Sequence, residues 1–147
     1  MSKFEKDIKK FNKIYNLPVA KAPTLAVGVP VTQRLIDFKN ILAEEVNEID
    51  DIIKMTRAET VETEDILTAL ADLLGDIQVY CASEMAKFGL PLEEVLSIIM
   101  QSNFSKLDEN GDPIYDERGK VLKGSSYWKP EPKIRQLLEA EILKSKV

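Results

Sequence analysis

The feature that most limits what this chain can become is a set of carboxylates lying inside helical stripes that should be apolar. Apolar side chains recur at Leu35, Phe38, Ile41, Leu42, Ile49, Ile52 and Ile53, the three-to-four spacing of a helix face packed on a core. Glu45 and Glu48 fall within that stripe, whereas Glu44 belongs with Asp37, Asn40, Asn47 and Asp51 on the row expected to face solvent. From Ile66 to Ser83 a second stretch is apolar almost all round, as a buried helix would be. Its only charges are Asp72 and Asp76, one turn apart on one face. Burying one unpaired carboxylate costs roughly several kcal/mol, so a group of them is tolerable only with something positive in its midst.

Helix-hairpin geometry says whether the acids meet. If the two helices pack antiparallel about a turn near Thr60, residues whose numbers sum to about 120 lie side by side. Glu48 then faces Asp72, and Glu44 or Glu45 faces Asp76. The chain has no histidine and too few basic residues nearby to neutralise this level. The natural counter-charge is a hard divalent cation, which takes oxygen ligands. A di-iron bundle is disfavoured, because such sites draw a Glu-x-x-His motif from each of two helices.

Composition narrows the class further. A chain of 147 residues with 31% charged residues and plentiful aliphatics reads as one globular domain spanning 1–147. A net charge of −5 argues against nucleic acid as a main partner. The single cysteine, Cys81, cannot form an internal disulfide and fits a small buried helical position. The opening Met-Ser-Lys-Phe-Glu-Lys-Asp lacks the apolar core of a signal peptide, and two central aspartates disqualify Ile66–Ser83 as a membrane helix. These features point to a cytoplasmic protein with no membrane partner.

Along the chain, the pattern predicts an amphipathic helix over 2–16 with Phe4, Ile8, Phe11 and Tyr15 on its inner side. A proline-rich wrapping loop follows from Pro18 to Pro30, then one long helix from an N-cap at Thr32 to about Arg57. A turn at 59–63 leads to a helix from Glu64 to Phe88 closed by Gly89, and Pro91 opens a further helix to about Leu107. Between Asp108 and Pro132 the turn signals Asn110-Gly111 and Glu117-Arg118-Gly119 suggest a loop with a small hairpin, Pro113–Tyr115 against Lys120–Leu122. An EF-hand reading of Asp108, Asn110 and Asp112 fails, because the sixth loop position is Pro113 and the twelfth Gly119. A last helix over 133–146 turns Ile134, Leu137, Leu138 and Ile142 inward. No internal repeat, P-loop or dinucleotide fingerprint is evident.

Glu44-Glu45-Val46-Asn47-Glu48 matches the Glu-Glu-x-x-Glu motif of the all-α nucleoside triphosphate pyrophosphohydrolases, the MazG-like superfamily, and a second acidic motif follows on the next helix. The wider chain resembles the phosphoribosyl-ATP pyrophosphohydrolase-like branch. The similar segments are Phe11-Asn-Lys-Ile-Tyr-Asn-Leu-Pro18, Ser102-Asn-Phe-Ser-Lys-Leu-Asp-Glu-Asn-Gly111 and Gly119-Lys-Val-Leu-Lys-Gly124 with an aromatic and a proline after it. One departure stands out. The usual second motif is Glu-x-x-Asp, but with Asp76 as its aspartate the glutamate position holds Leu73, leaving the pair Asp72 and Asp76; Glu62-x-x-Asp65 lies too near the helix start to serve.

The resemblance implies an all-α fold with a four-helix-bundle-like core and an extra C-terminal helix. It implies hydrolysis of a nucleoside triphosphate to monophosphate and pyrophosphate with Mg²⁺, for which Mn²⁺ can substitute. It assigns Glu45, Glu48, Asp72 and Asp76 as metal ligands, with Glu44 helping to activate water. Asn103, Lys106, Lys120 and Lys123 are candidates for the substrate phosphates or sugar, and the expected assembly is a homodimer or dimer of dimers. The departure in the second motif motivates one alternative, an inactive helical oligomer that serves as a nucleotide- or protein-binding module.

Overall fold

Ser2 starts the first helix by capping it: its hydroxyl accepts the Glu5 N–H at 3.2 Å, satisfying a donor that the helix itself cannot. In a computed structural model describing all 147 residues, α1 (Lys3–Ile14) is followed by α2 (Val31–Asn47), α3 (Ile49–Arg57), α4 (Thr63–Lys87), α5 (Leu92–Phe104) and α6 (Glu131–Ser145). No β-strand forms, so the expected all-α class holds. Contacts divide the chain into two compact units. One comprises Ser2–Ala20 and Thr24–Gly89; the other comprises Met1, Lys21–Pro23 and Leu90–Val147.

The first unit is built on α4, which contacts α1, α2 and α3. The buried apolar residues Ile8, Val27, Leu73, Ala82, Ala86 and Phe88 form its centre. Helix α1 docks through a polar residue: Asn12 is wholly buried, donates to the Ser83 carbonyl at 3.1 Å and accepts from the Ser83 hydroxyl at 2.7 Å. This sets the inner row of α1 as Glu5, Ile8 and Asn12, not the expected Phe4, Ile8, Phe11 and Tyr15. Phe11 and Tyr15 stay exposed, with their rings 4.5 Å apart. Asn16 ends the helix in the left-handed region at φ 56, which asparagine tolerates, while Leu17 N–H reaches back to Asn12 O at 2.7 Å. The loop beyond runs along the end of α4, where Ala20 and Thr24 N–H donate to the Ala86 and Phe88 carbonyls.

Instead of one helix from Thr32 to Arg57, α2 and α3 are separated at Glu48. The Glu48 N–H is shared between the Glu44 and Glu45 carbonyls, at 3.3 and 3.1 Å, and its own carbonyl accepts from Asp51 and Ile52. Such sharing tightens the helix locally. It also gives Asp50 and Asp51 a fresh helix N-terminus to face, where negative charge is favoured. Helix α2 begins one residue before the expected cap, after Pro30, and Thr32 makes no side-chain cap. Gly89 closes α4 as expected, at φ 66, with its N–H on Ala86 O. Helix α4 is long and apolar enough to cross a membrane by length and composition, yet only 17% of that stretch is buried. Leu67, Leu70, Leu74, Val79 and Tyr80 are exposed, so the expected burial all round is not met within one chain.

In the second unit α5 packs with α6. Ser102 and Ser105 hold the long loop: the Ser102 hydroxyl donates to Trp128 O at 2.9 Å, and Trp128 N–H donates to the Ser105 hydroxyl at 3.2 Å. Helix α5 therefore stops at Phe104, short of the expected Leu107, and Pro91 precedes rather than opens it. The expected hairpin reduces to one antiparallel bridge, Tyr115 with Val121. Around it the chain uses one turn twice. Asp108 Oδ1 accepts the N–H groups of Asn110 and Asp112, and Asp116 Oδ1 accepts those of Arg118 and Lys120, with Gly111 and Gly119 at positive φ in each.

One buried ionic group ties α2 to α4. Glu84 accepts from Arg34 Nε and from Lys87 Nζ, both at 2.9 Å, and its side chain is 8% exposed. Glu84→Ala would leave two cations with little water and no counter-charge. It should cost about 3–5 kcal/mol in urea unfolding. Lys144→Ala, which breaks the exposed Lys144–Glu141 pair, should cost less than about 1 kcal/mol.

Candidate metal centre

The Arg34–Glu84 contact fixes how α2 lies against α4, and the acids follow from that register. Their residue numbers sum close to the 120 expected for the hairpin. About three turns further along α2 come Glu44 and Glu45, then Glu48 at the junction with α3. On α4, Asp72, Asp76 and Tyr80 repeat every fourth residue and so share a face.

Glu45 is the residue around which the site closes. It is 8% exposed, and its Oε2 is buried without any hydrogen-bond partner. Burial, followed by the nearby charges of Glu48 and Asp76, pushes its carboxyl above the ordinary range, while the Tyr80 hydroxyl beside it acts in the opposite direction. The Tyr80 phenol is likewise pushed up, by burial and then by the charges of Glu45 and Asp76. Glu48, Asp76 and Tyr80 are thus the side chains whose influence reaches Glu45.

Glu48 also faces a second space. Together with Asp51, Ile52, Met55, Ala69, Asp72 and Leu73 it lines a groove of about 220 Å³ between α3 and α4. The expected Glu48–Asp72 pairing thus holds as a shared groove. Asp51 is exposed, as expected of the solvent row, and also lines this groove. Glu44 is exposed on the outer row and belongs to neither group.

In this conformation no three acidic side chains converge closely enough to ligate an ion. The chemistry of the donor set still suits a hard cation. Every candidate is a carboxylate, and a buried oxygen with no partner is a site that such a cation satisfies.

The other expected site residues lie in the second unit. Asn103 lies in the last turn of α5 and Lys106 follows the helix. Gly124 N–H donates to the Lys106 carbonyl at 2.8 Å, which brings the segment after Lys123 against the end of α5. A Cβ on Gly124 would stand 2.3 Å from the Leu107 carbonyl oxygen, so glycine is required there. Lys123 Nζ lies 4.8 Å from the centre of the Tyr127 ring. Lys120 stands apart, its backbone closing the Asp116 turn.

No protein-family model matches the chain, and no curated protein matches it in sequence. Solved structures do match it. One is the crystal structure of a putative NTP pyrophosphohydrolase from Exiguobacterium sp. 255-15, with 23% identity and a TM-score of 0.52 over 99% of both chains. The chain has the fold of that protein. The likeness runs through the long loop and α6 as well as the helices that carry the acids.

Sequence reasoning missed Tyr80 and the groove that the exposed Asp51 lines. The signal for Tyr80 was present, one turn beyond Asp76 on the same face.

Because the folded-state pKa of Glu45 is raised above its ordinary 4.5, its ionised form is disfavoured by folding. Its stabilising contribution is present at low pH and lost as the pH rises through the folded value. Without divalent cations, the melting temperature should rise as the pH is lowered from neutral toward the ordinary carboxylate value of 4.5. That gain should shrink in Glu45→Gln, which should also melt higher than the parent at pH 7.5. Asp50→Asn, on an exposed residue outside both groups, should leave the pH profile unchanged in the same thermal scans.

Proposed function

We propose that this protein is a Mg²⁺-dependent nucleoside triphosphate pyrophosphohydrolase, soluble and cytoplasmic. The observation that carries the reading is the buried, partnerless Glu45 oxygen beside Glu48 and Asp76. The shared fold with a protein described as an NTP pyrophosphohydrolase, and the Glu-Glu-x-x-Glu run at 44–48, support it. In the reaction, a water oxygen bonds to the α-phosphorus and the bond from that phosphorus to the bridging oxygen breaks, giving monophosphate and pyrophosphate.

Glu45, Glu48, Asp72 and Asp76 would hold the cation. Glu48 and Asp72 are exposed and free to reorient toward it. When bound, Mg²⁺ lowers the pKa of a water and neutralises phosphate oxygens, and Mn²⁺ can replace it. Glu45 and Asp76 supply the negative charge that holds the ion in place. The resemblance to the Glu-Glu-x-x-Glu motif gives Glu44, exposed on the outer row, the role of helping to activate water. Asn103, Lys106, Lys120 and Lys123 would bind the phosphates or sugar. The exposed apolar side chains of α4 suit cover by a second copy, giving a homodimer or dimer of dimers. Asp72 and Asp76 midway along α4 make lipid a poor alternative cover.

A panel of ribo- and deoxynucleoside triphosphates, with pyrophosphate release as the readout, tests the reading. Glu48→Gln should lower kcat by at least roughly a hundredfold, since even the outer partners of metal ligands are worth about 10–100-fold. Lys123→Ala should raise KM several-fold with kcat little changed, the mark of lost uniform binding. Failure of every triphosphate to turn over, combined with Mg²⁺-dependent nucleotide binding, would favour the inactive binding module.

A further inference from the structure

Only part of the groove between α3 and α4 is taken up by the proposed cation site. Glu48 and Asp72 line one end, and Asp51, Ile52 and Met55 of α3 with Ala69 of α4 carry the groove onward, away from Glu45. Ile52, Met55 and Ala69 are half-buried and Leu73 is buried, so the walls are apolar and come from both helices. Asp51 is the one acid of the lining that the cation site does not use, and it enters none of the ion pairs of the chain. The 220 Å³ of this space is about seven water molecules' share of the liquid. That suits a flat heterocycle and falls short of the roughly 300–1,000 Å³ of sites that enclose a whole small ligand.

We propose that this groove receives the base of the nucleoside triphosphate, and that Asp51 is a specificity-determining residue that selects guanine. The inference rests on the pyrophosphohydrolase reading above and names the base that it leaves open. Apolar walls with one polar group left over are the make-up of a site for an aromatic ring, and the Met55 thioether is a favourable neighbour for one. Asp51 follows Glu48 by about one helical turn, ~5.4 Å along α3, so it meets the neutral end of the nucleotide and not its phosphates. An ionised carboxylate can only accept hydrogen bonds. Guanine presents a ring N–H and an amino group side by side, a two-donor fork that both carboxylate oxygens can take, as they take a guanidinium. In adenine and cytosine the amino group adjoins an unprotonated ring nitrogen, and in uracil and thymine the ring N–H lies between two carbonyls. Each of these bases would turn a lone pair toward the acid.

The test compares GTP with inosine triphosphate, which lacks only the exocyclic amino group, in the full-length parent, Asp51→Asn, Ala69→Leu and Met55→Ala. Pyrophosphate release gives kcat and KM, calorimetry with Mg²⁺ alone reads the cation site, and a melting temperature checks each fold. In the parent, kcat/KM should be at least roughly tenfold higher for GTP, as expected for one hydrogen bond to a charged group. Asp51→Asn should bring that ratio close to one, with Mg²⁺ affinity little changed. Ala69→Leu puts a larger side chain into the groove and should raise KM for both triphosphates several-fold without weakening Mg²⁺ binding. Met55→Ala removes a wall and should raise KM in the same sense, a check that overpacking does not confuse. A parent that turns over both triphosphates alike, or an Asp51→Asn variant that keeps the parent's ratio, overturns the selection of guanine. Unchanged KM in both Ala69→Leu and Met55→Ala overturns the placement of the base. These outcomes leave the pyrophosphohydrolase reading standing, whereas a parent that hydrolyses no triphosphate overturns both.

Discussion

The contact between Arg34 and Glu84 is the interaction on which the candidate site depends. It joins the start of α2 to the far end of α4, and with Lys87 it forms a group that is almost free of water. Buried ion pairs of this kind are weak sources of net stability, since desolvation offsets most of the attraction. Their strength lies in discrimination. If α2 slid by one turn against α4, Glu84 would lose its guanidinium and Arg34 would be stranded, while Lys87, carried on α4 itself, would stay. The same slide would carry Glu45 away from Asp76. A contact far from the acids along α4 therefore sets the level at which they face one another.

Much of this was readable from the residues because it rests on periodicity. The stripe that includes Glu45 and Glu48, the fourth-residue spacing of Asp72 and Asp76, and the hairpin turn near Thr60 are enough to bring α2 and α3 against α4 at the right level. The inner face of α1 was misread for a physical reason. Hydrophobicity favours Phe4, Phe11 and Tyr15, but two hydrogen bonds between Asn12 and Ser83 on α4, one in each direction, decide the rotation of the helix. Such long-range polar pairings leave no periodic trace. The break at Glu48 was equally hidden, since none of the residues around it is glycine or proline.

Stability and chemistry pull against each other at Glu45. The fold buries a carboxylate among other carboxylates and leaves one oxygen without a partner, a local conflict of the kind that well-folded sequences avoid elsewhere. The same strain is absent at Glu84, where two cations answer one buried acid. Within one helix, then, α4 carries a neutralised acid near its end and unneutralised acids at its middle. The contrast separates the part of α4 that holds the fold from the part that is poised for a ligand.

The loop between α5 and α6 carries a different consequence. Each of its two aspartate turns satisfies its own backbone: Asp108 N–H bonds to Asp112 O and Asp116 N–H to Lys120 O, with the carboxylate closing the other side. The two turns begin eight residues apart and need nothing from the helices to hold their shape. A segment assembled from self-sufficient units can gain or lose one whole unit without disturbing what flanks it. The anchors to α5 lie outside the units, at Gly124 and Trp128. Length and surface chemistry in this region are thus free to vary by whole turns, and an engineered third turn between Asp112 and Ile114, outside both turns and the Tyr115–Val121 bridge, would lengthen the loop while leaving both helices in register.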